Sequence, residues 1–243
     1  MKKLHYSVLK RLNKLLRPQF SVVRRNSVRL LLNKYNWIDN RLLCFRSYEK
    51  KNIDFMLDSL KNEGFERFLD IGANIGYFSL MAAKKTDVAN IMAFEPMSKN
   101  FYQLCTNILL NGFSGRILPV NKALSDKNEV SEIHYDIHST GIGTLKPDQT
   151  VRDKRDYNQS EMIKCIRFDD MYDFQNEKIF IKMDVEQFEL HVLKGMPDFL
   201  KQNRIWLMIE INDETSPVFA FLKKSGFKKI DSDTDDFVFS NFA

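Results

Sequence analysis

The sequence predicts an α/β protein on an open, mostly parallel sheet, and three observations predict it. Phe68, Leu69 and Ile71 form a short apolar run that suits a buried parallel strand, and the run breaks into Asp70, Gly72, Asn74 and Gly76. A helical pattern, Tyr77 to Lys85, follows at once and ends in cations that complement its dipole. Ile91-Met-Ala-Phe-Glu-Pro96 is a second short strand ending in an acid, Glu95, 19 residues beyond Gly76. In doubly wound sheets an acid at that place accepts from ribose hydroxyls.

The turn after the first strand carries the chemistry. Gly72 and Gly76 permit backbone angles and close approach that a side chain would forbid, so a ligand can lie against the main chain there. A dinucleotide fingerprint would want Gly-x-Gly-x-x-Gly, whereas Gly72-Ala-Asn-Ile-Gly76 has an acid just before it. Asp70 would repel a pyrophosphate but suits the ammonium of an amino acid, which points to S-adenosylmethionine (SAM). The alternative is that Asp70 and Glu95 only cap strand ends.

With these residues in view the sequence resembles the FkbM family of SAM-dependent methyltransferases, from about Phe65 to Ile211. The resemblance rests on Phe68-Leu-Asp-Ile-Gly-Ala-Asn-Ile-Gly-Tyr-Phe-Ser79, Ala93-Phe-Glu-Pro96, Asn121-Lys-Ala-Leu-Ser-Asp126 and Ile181-Lys-Met-Asp-Val-Glu-Gln-Phe-Glu189. It implies a class I (Rossmann-like) methyltransferase fold, with a mostly parallel seven-stranded sheet and helices on both faces. It also implies O-methylation of hydroxyls on sugars, glycolipids, polysaccharides or macrolide-type products. One position departs from the pattern: Gln187 stands where the family usually has Gly.

At 243 residues and 44% hydrophobic composition the chain suits one domain with an extension, divided here as 1–66 and 67–243. The three cysteines, Cys44, Cys105 and Cys165, are widely spaced and suggest buried thiols in a reducing compartment. Residues 1 to 66 carry 15 Lys plus Arg against 6 acids, while the remainder carries 22 against 26. A binding feature is therefore expected in the leader and not in the Rossmann-like core.

Met1 to Lys34 holds no acid, and Leu4, Val8, Leu12, Leu15 and Leu16 recur at helical spacing until Arg17-Pro18. This N-terminal helical extension reads either as a peripheral membrane contact or as a helix packed on the domain with a solvated basic face. Charges interrupt every apolar run, so it is neither a signal peptide nor a bilayer span, and a cytoplasmic protein, with membrane association on the cytoplasmic face, is expected. Glu49 to Lys61 reads as a helix closing at Gly64.

After Glu95, Ser98 is expected to cap a helix to about Leu110, and Ile117 to Leu124 to form a third strand. Ser125 and Asp126 follow it; in class I methyltransferases that loop lies beside the adenine, where Asp126 could accept from the exocyclic amine, or Ser-Asp simply turns the chain. Glu129 to Ile137 alternates as a strand, and the polar stretch from there to Gln159 is the candidate flap over the substrate, with His138 as a candidate base or an ordinary surface histidine. Met162 to Phe168, Lys178 to Glu186 and Arg204 to Ile211 are further strands. Ser216-Pro217 starts a helix, and Phe227 to Ile230 with Phe237 to Ser240 resemble the terminal antiparallel pair of this fold.

Lys182, Asp184 and Glu186 lie two apart, so while the strand persists they project to one side at its carboxyl edge. Lone charges in such a strand are costly unless paired, which suggests a site or a structural ion pair. A sugar hydroxyl needs a base or a metal to become a nucleophile. Asp184 is the leading base, supported by Glu186 and Glu210, and Asp184 with Glu210 could instead hold Mg²⁺. Two rival readings are an RNA or DNA methyltransferase using the basic arm, disfavoured because Asp184-Val-Glu-Gln stands where a base-gripping (Asp/Asn)-Pro-Pro-aromatic sequence is usual, and a non-catalytic SAM-binding module.

Overall fold

The computed structural model describes residues 9, 11–13, 15–45, 48–136, 143, 145, 158–211, 213–230 and 232–242. The chain opens with helical residues between 9 and 16, then a hairpin of β1 (Phe20–Arg25) and β2 (Val28–Asn33), then helices α1 (Trp37–Cys44) and α2 (Lys50–Asn62). The alternating core follows: β3 (Arg67–Ile71), α3 (Tyr77–Lys85), β4 (Asn90–Phe94), α4 (Ser98–Asn111) and β5 (Ile117–Val120). Next come β6 (Ala123–Leu124), β7 (Glu129–Tyr135) and β8 (Gln159–Ile166). The chain closes with β9 (Lys178–Met183), α5 (Glu189–Lys194), α6 (Pro197–Gln202), β10 (Arg204–Ile209), α7 (Pro217–Lys224), β11 (Lys228–Ile230) and β12 (Phe237–Ser240).

Seven strands form the main sheet in the order β11-β12-β10-β9-β3-β4-β5. The run β10-β9-β3-β4-β5 is parallel, and β12 is antiparallel to both its neighbours. Each central strand alternates between two apolar layers. Phe68, Ile91, Ala93, Phe180 and Met208 face α2, α3, α4 and the hairpin, while Leu69, Ile71, Ile181 and Leu207 face α5, α6 and α7. The expected third strand splits: Val120 ends β5, and Ala123–Leu124 leave to pair with β8 in a separate sheet ordered β6-β8-β7. Ser98 is the first residue of α4 rather than its cap, which is Met97, and Gly112 closes the helix in the left-handed conformation. Cys44, Cys105 and Cys165 are unbridged.

The N-terminal extension is not wholly helical, because residues 20–33 form a hairpin. Asn26 (φ 46) and Ser27 (φ 75) make its two-residue turn, the left-handed pair that suits the twist of a tight hairpin. Val28, Leu30 and Leu32 are wholly buried in the same apolar cluster as Phe68 and Phe180. The free edge of β2 is served by α4 instead of by a strand. Asn111 accepts from Arg29 N–H and donates to its carbonyl; Asn107 accepts from Leu31 N–H, and Gln103 donates to Leu31 carbonyl. Two strand residues span roughly 6.6 Å and four helical residues about 6 Å, so side chains at 103, 107 and 111 keep step with backbone groups at every second position of β2.

Asp39 of α1 completes this edge. Its Oδ2 accepts from Asn33 N–H and from Gln103, each at 2.6 Å, and its buried Oδ1 has no partner. Burial raises its carboxyl to about 6, against the two hydrogen bonds, which lower it. The folded state therefore holds a proton that the unfolded chain releases, so Asp39 contributes stability below its unfolded value that is lost as pH rises through about 6. Asp39→Asn removes that titration; in urea melts its stability relative to the parent should improve by about 2 kcal/mol between about pH 4.5 and about pH 7.5.

Candidate active site

Register places the polar residues. Ile71 is level with Phe94 and Met183, Met183 with Ile209, and Ile209 with Phe237. The residues just outside that line are therefore Glu95, Gly72, Asp184, Glu210 and Asp236, side by side at the carboxyl edge of the parallel strands. Open α/β sheets take their ligands there. One row deeper, Asp70 is level with Lys182. Both lie on the α3 face, in positions that the other strands fill with apolar side chains.

A cleft runs along this edge. Its walls include Asp70, Gly72, Asn74, Glu95, Lys182, Asp184 and Glu186, together with Tyr48 and Glu49 from the extension. The other end is apolar, with Phe94, Met97, Leu124, Ile133 and Ile163. Of the predicted site residues, Gly76, Ser125, Asp126 and Glu210 are not among the lining residues. Gly143 and Leu145, from the expected flap, line the cleft, and His138 lies outside the described residues.

Asp70 is 1% exposed, and its Oδ2 accepts from Ser79 N–H at 3.1 Å and Ser79 Oγ at 2.6 Å, which ties the strand tip to α3. Burial pushes its carboxyl up; Lys182 and the Ser79 bonds oppose this. Glu95 accepts from Asn74 N–H through Oε2 and from Met97 N–H through Oε1. Burial raises it to about 7 despite these bonds. Asn74 (φ 52) has a buried Oδ1 with no partner. The glycines serve contacts within the protein: a Cβ on Gly72 (φ +82) would lie 1.9 Å from the Asp184 carbonyl oxygen, and one on Gly76 (φ +84) 2.3 Å from a Leu104 methyl.

At the other end of the row, Lys182 Nζ donates to Asp184 Oδ2 at 2.9 Å and sits over the Phe78 ring. Burial disfavours its charge, but Asp184, Glu49, Asp70 and Asp236 together hold the ammonium above the ordinary lysine range. Glu210, although open to solvent on one side, is raised to about 8, first by the charge of Asp184 and then by burial. Asp236 is raised to about 6 by burial, with Lys182 opposing. Burial and the neighbouring Glu49 also drive the Tyr48 hydroxyl up.

These contacts revise several sequence expectations. Asp126 Oδ1 lies 3.1 Å from His191 Nδ1, so this carboxylate faces α5 instead of the cleft; burial would raise it, but the His191 bond and charge hold it below its usual value. Ser125 Oγ is bonded to the same oxygen. For Asp184 and Glu210 as Mg²⁺ ligands the surroundings are unfavourable: the Lys182 ammonium already occupies Asp184 Oδ2, and among the described residues no group of three or more His, Cys, Asp or Glu is arranged to hold a metal. Strand β9 ends at Met183, and Glu186 reaches the cleft through a left-handed turn (φ 51). Tyr48, Glu49 and Asp236 are absent from the residues the sequence singles out. The signal for Asp236 was its place just before Phe237, where the last strand returns antiparallel; no spacing pointed to Tyr48 or Glu49.

A methyltransferase FkbM domain model matches residues 70–229, about two thirds of the chain. The chain belongs to the FkbM methyltransferase domain family. It is 29% identical over 155 residues to the methyltransferase sdnD of Sordaria araneosa, covering 54% of this chain and 60% of that one. It is also 29% identical over 151 residues to the hexuronic acid methyltransferase AglP of Haloferax volcanii, covering 61% of this chain and 56% of that one. The chain thus spans a little over half the length of these curated relatives. Among solved structures, a human methyltransferase 10 domain containing protein superposes with a TM-score of 0.51 at 12% identity, covering 100% of this chain and 98% of that one, a likeness of fold.

In this FkbM domain Gln187, which stands where the resemblance led to the expectation of glycine, takes a left-handed conformation at φ 72 directly after Glu186. Its N–H donates to Glu189 Oε1 at 3.1 Å, which ties the turn to the start of α5. A side chain in the left-handed region costs roughly 1–2 kcal/mol, partly offset in the unfolded state by the greater freedom glycine would have there. Gln187→Gly is expected to raise the melting free energy by up to about 1 kcal/mol. Gly72→Ala is expected to lose about 3 kcal/mol or more in denaturant titrations, because the added carbon meets backbone on a left-handed residue.

Proposed function

We propose that this chain is a SAM-dependent O-methyltransferase acting on a hydroxyl of a sugar, glycolipid or polysaccharide precursor. The observation that carries this reading is the polarity of the cleft: one end pairs an apolar wall with Glu95 and Asn74, and the other gathers Lys182, Asp184 and Glu49, with Glu210 behind them on the next strand. Family membership and the relative whose name specifies a hexuronic acid support it.

The residues present fit SAM. Glu95 keeps acceptor capacity for ribose hydroxyls beyond its two backbone bonds, the unpartnered Asn74 Oδ1 suits a donor on the ligand, and Phe94, Met97, Ile133 and Ile163 suit an aromatic base. Bound there, the sulfonium supplies an electrophilic methyl group. Asp70, both of whose Ser79 bonds run to one oxygen, shapes the turn that carries these groups.

On the chain's side, Asp184 takes the acceptor's proton as its oxygen gains the methyl group. Lys182 fixes the orientation of Asp184, and Glu210, raised to about 8 by the Asp184 charge, carries a proton at neutral pH. The net negative cluster Glu49, Asp184 and Asp236 around one ammonium favours neutral polyols over polyphosphates.

Labelled SAM offered with lipid, polysaccharide-precursor and RNA fractions of the source cell should place the label in a carbohydrate-bearing fraction. Label in RNA would replace this reading with nucleic-acid methylation, and SAM binding without transfer to any fraction would replace it with a binding module. Asp184→Asn should lower kcat by about 100-fold or more while calorimetry finds SAM affinity within about threefold of the parent.

A further inference from the structure

The N-terminal helix turns its apolar side away from the protein. Asn13 faces the body, its Nδ2 donating to Cys44 Sγ at 3.3 Å. Leu15 and Leu16 are 81% and 80% exposed, and Leu12 is exposed beside them. Lys34 pins the helix end, its Nζ donating to Arg17 carbonyl at 2.7 Å and its N–H to Gln19 carbonyl. The adjoining hairpin continues the pattern: on β1 Phe20, Val22 and Arg24 point outward, while Val23 packs on the core.

Seven of the thirteen exposed large apolar or aromatic residues found among the described residues fall between 12 and 37, the last two being Tyr35 and Trp37. A soluble face of this kind is uncommon without a partner. Its charge identifies the partner's sign. Residues 1–34 hold ten Lys and Arg and no acid, and Arg11, Arg24 and Arg29 lie on exposed positions within the described part.

We propose that residues 12–37 form a docking surface for an anionic phospholipid bilayer, with Leu15, Leu16 and Phe20 entering the headgroup region and the arginines meeting the lipid phosphates. Apolar side chains with flanking cations and interfacial Trp and Tyr suit a helix that lies on a bilayer. A second copy of the chain would bring ten like charges against ten. A nucleic acid would leave the leucines in water. Among the described residues no helix is long and apolar enough to cross a membrane, so the contact is peripheral.

The test is sedimentation of the full chain with vesicles of phosphatidylcholine alone or of equimolar phosphatidylcholine and phosphatidylserine. The parent should pellet with the anionic vesicles, much less with the neutral ones, and less in high salt. The double variant Leu15→Ser, Leu16→Ser should weaken that binding by about tenfold or more with an unchanged melting curve, and Arg11→Glu with Arg24→Glu should weaken it without removing apolar area. Equal binding to both vesicle types, no binding to either, or full binding by the leucine variant overturns the proposal. So does a parent dimer that the leucine variant abolishes, or RNA binding that the parent prefers to anionic vesicles. None of these readouts involves methyl transfer, so the outcome is separate from that of the catalytic reading.

Discussion

The buried ammonium of Lys182 is the constraint on which the carboxyl edge of the sheet depends. It is 3% exposed, and four carboxylates, Asp70, Asp184, Glu49 and Asp236, act on it. Without a cation at that position the acids would repel one another in a poorly solvated setting, and their carboxyl groups would have to bind protons. With it, Asp184 has a fixed partner at 2.9 Å, while Glu210, one strand further out, takes up the proton that the row cannot shed. The apolar strands around Lys182 raise the cost of removing any one member, because an unpaired charge would be left behind. Register supplies this arrangement: Asp70 and Lys182 are level on adjacent strands, and the acids beyond them occupy the next level out.

Most of the candidate site was legible in the sequence because its signals are local. Asp70, Gly72 and Glu95 end strands whose apolar runs declare them, and Lys182 with Asp184 stands out as charge in such a run. The seven-stranded architecture followed from the family resemblance and from the alternation of strand and helix patterns. Less was legible wherever a position depends on distant pairing. Asp126 and His191 are 65 residues apart, and only the packing of α5 against the loop after β6 brings them together. Asp236 lies between the two terminal strands in sequence, and the return of β12 beside β10 carries it into the row. Glu49 reaches the cleft through its own left-handed backbone (φ 43), which composition does not announce.

The glycines teach a related lesson. Their spacing indicates a place of close approach, but spacing does not say what approaches. For Gly72 it is the carbonyl of Asp184, so the turn proposed to cradle the methyl donor is also the joint that sets the neighbouring strand's acid in position. For Gly195 it is the carbonyl of Ser125, which locks the end of α5 to the loop after β6. A change at either position would be felt in a neighbouring element.

The first hairpin was hidden because its turn, Asn26-Ser27, lacks the glycine that usually marks such a bend, and because nothing in the spacing of Gln103, Asn107 and Asn111 says that these amides meet a strand. Those amides have another task. By satisfying the backbone of β2 at Arg29 and Leu31, with Asp39 doing the same at Asn33, they leave that border of a two-stranded ribbon with no vacant ladder to offer. Along that side the ribbon resists recruiting strands from other molecules, so an extended basic segment stays at the surface with one of its two borders closed to the pairing that bare strands invite.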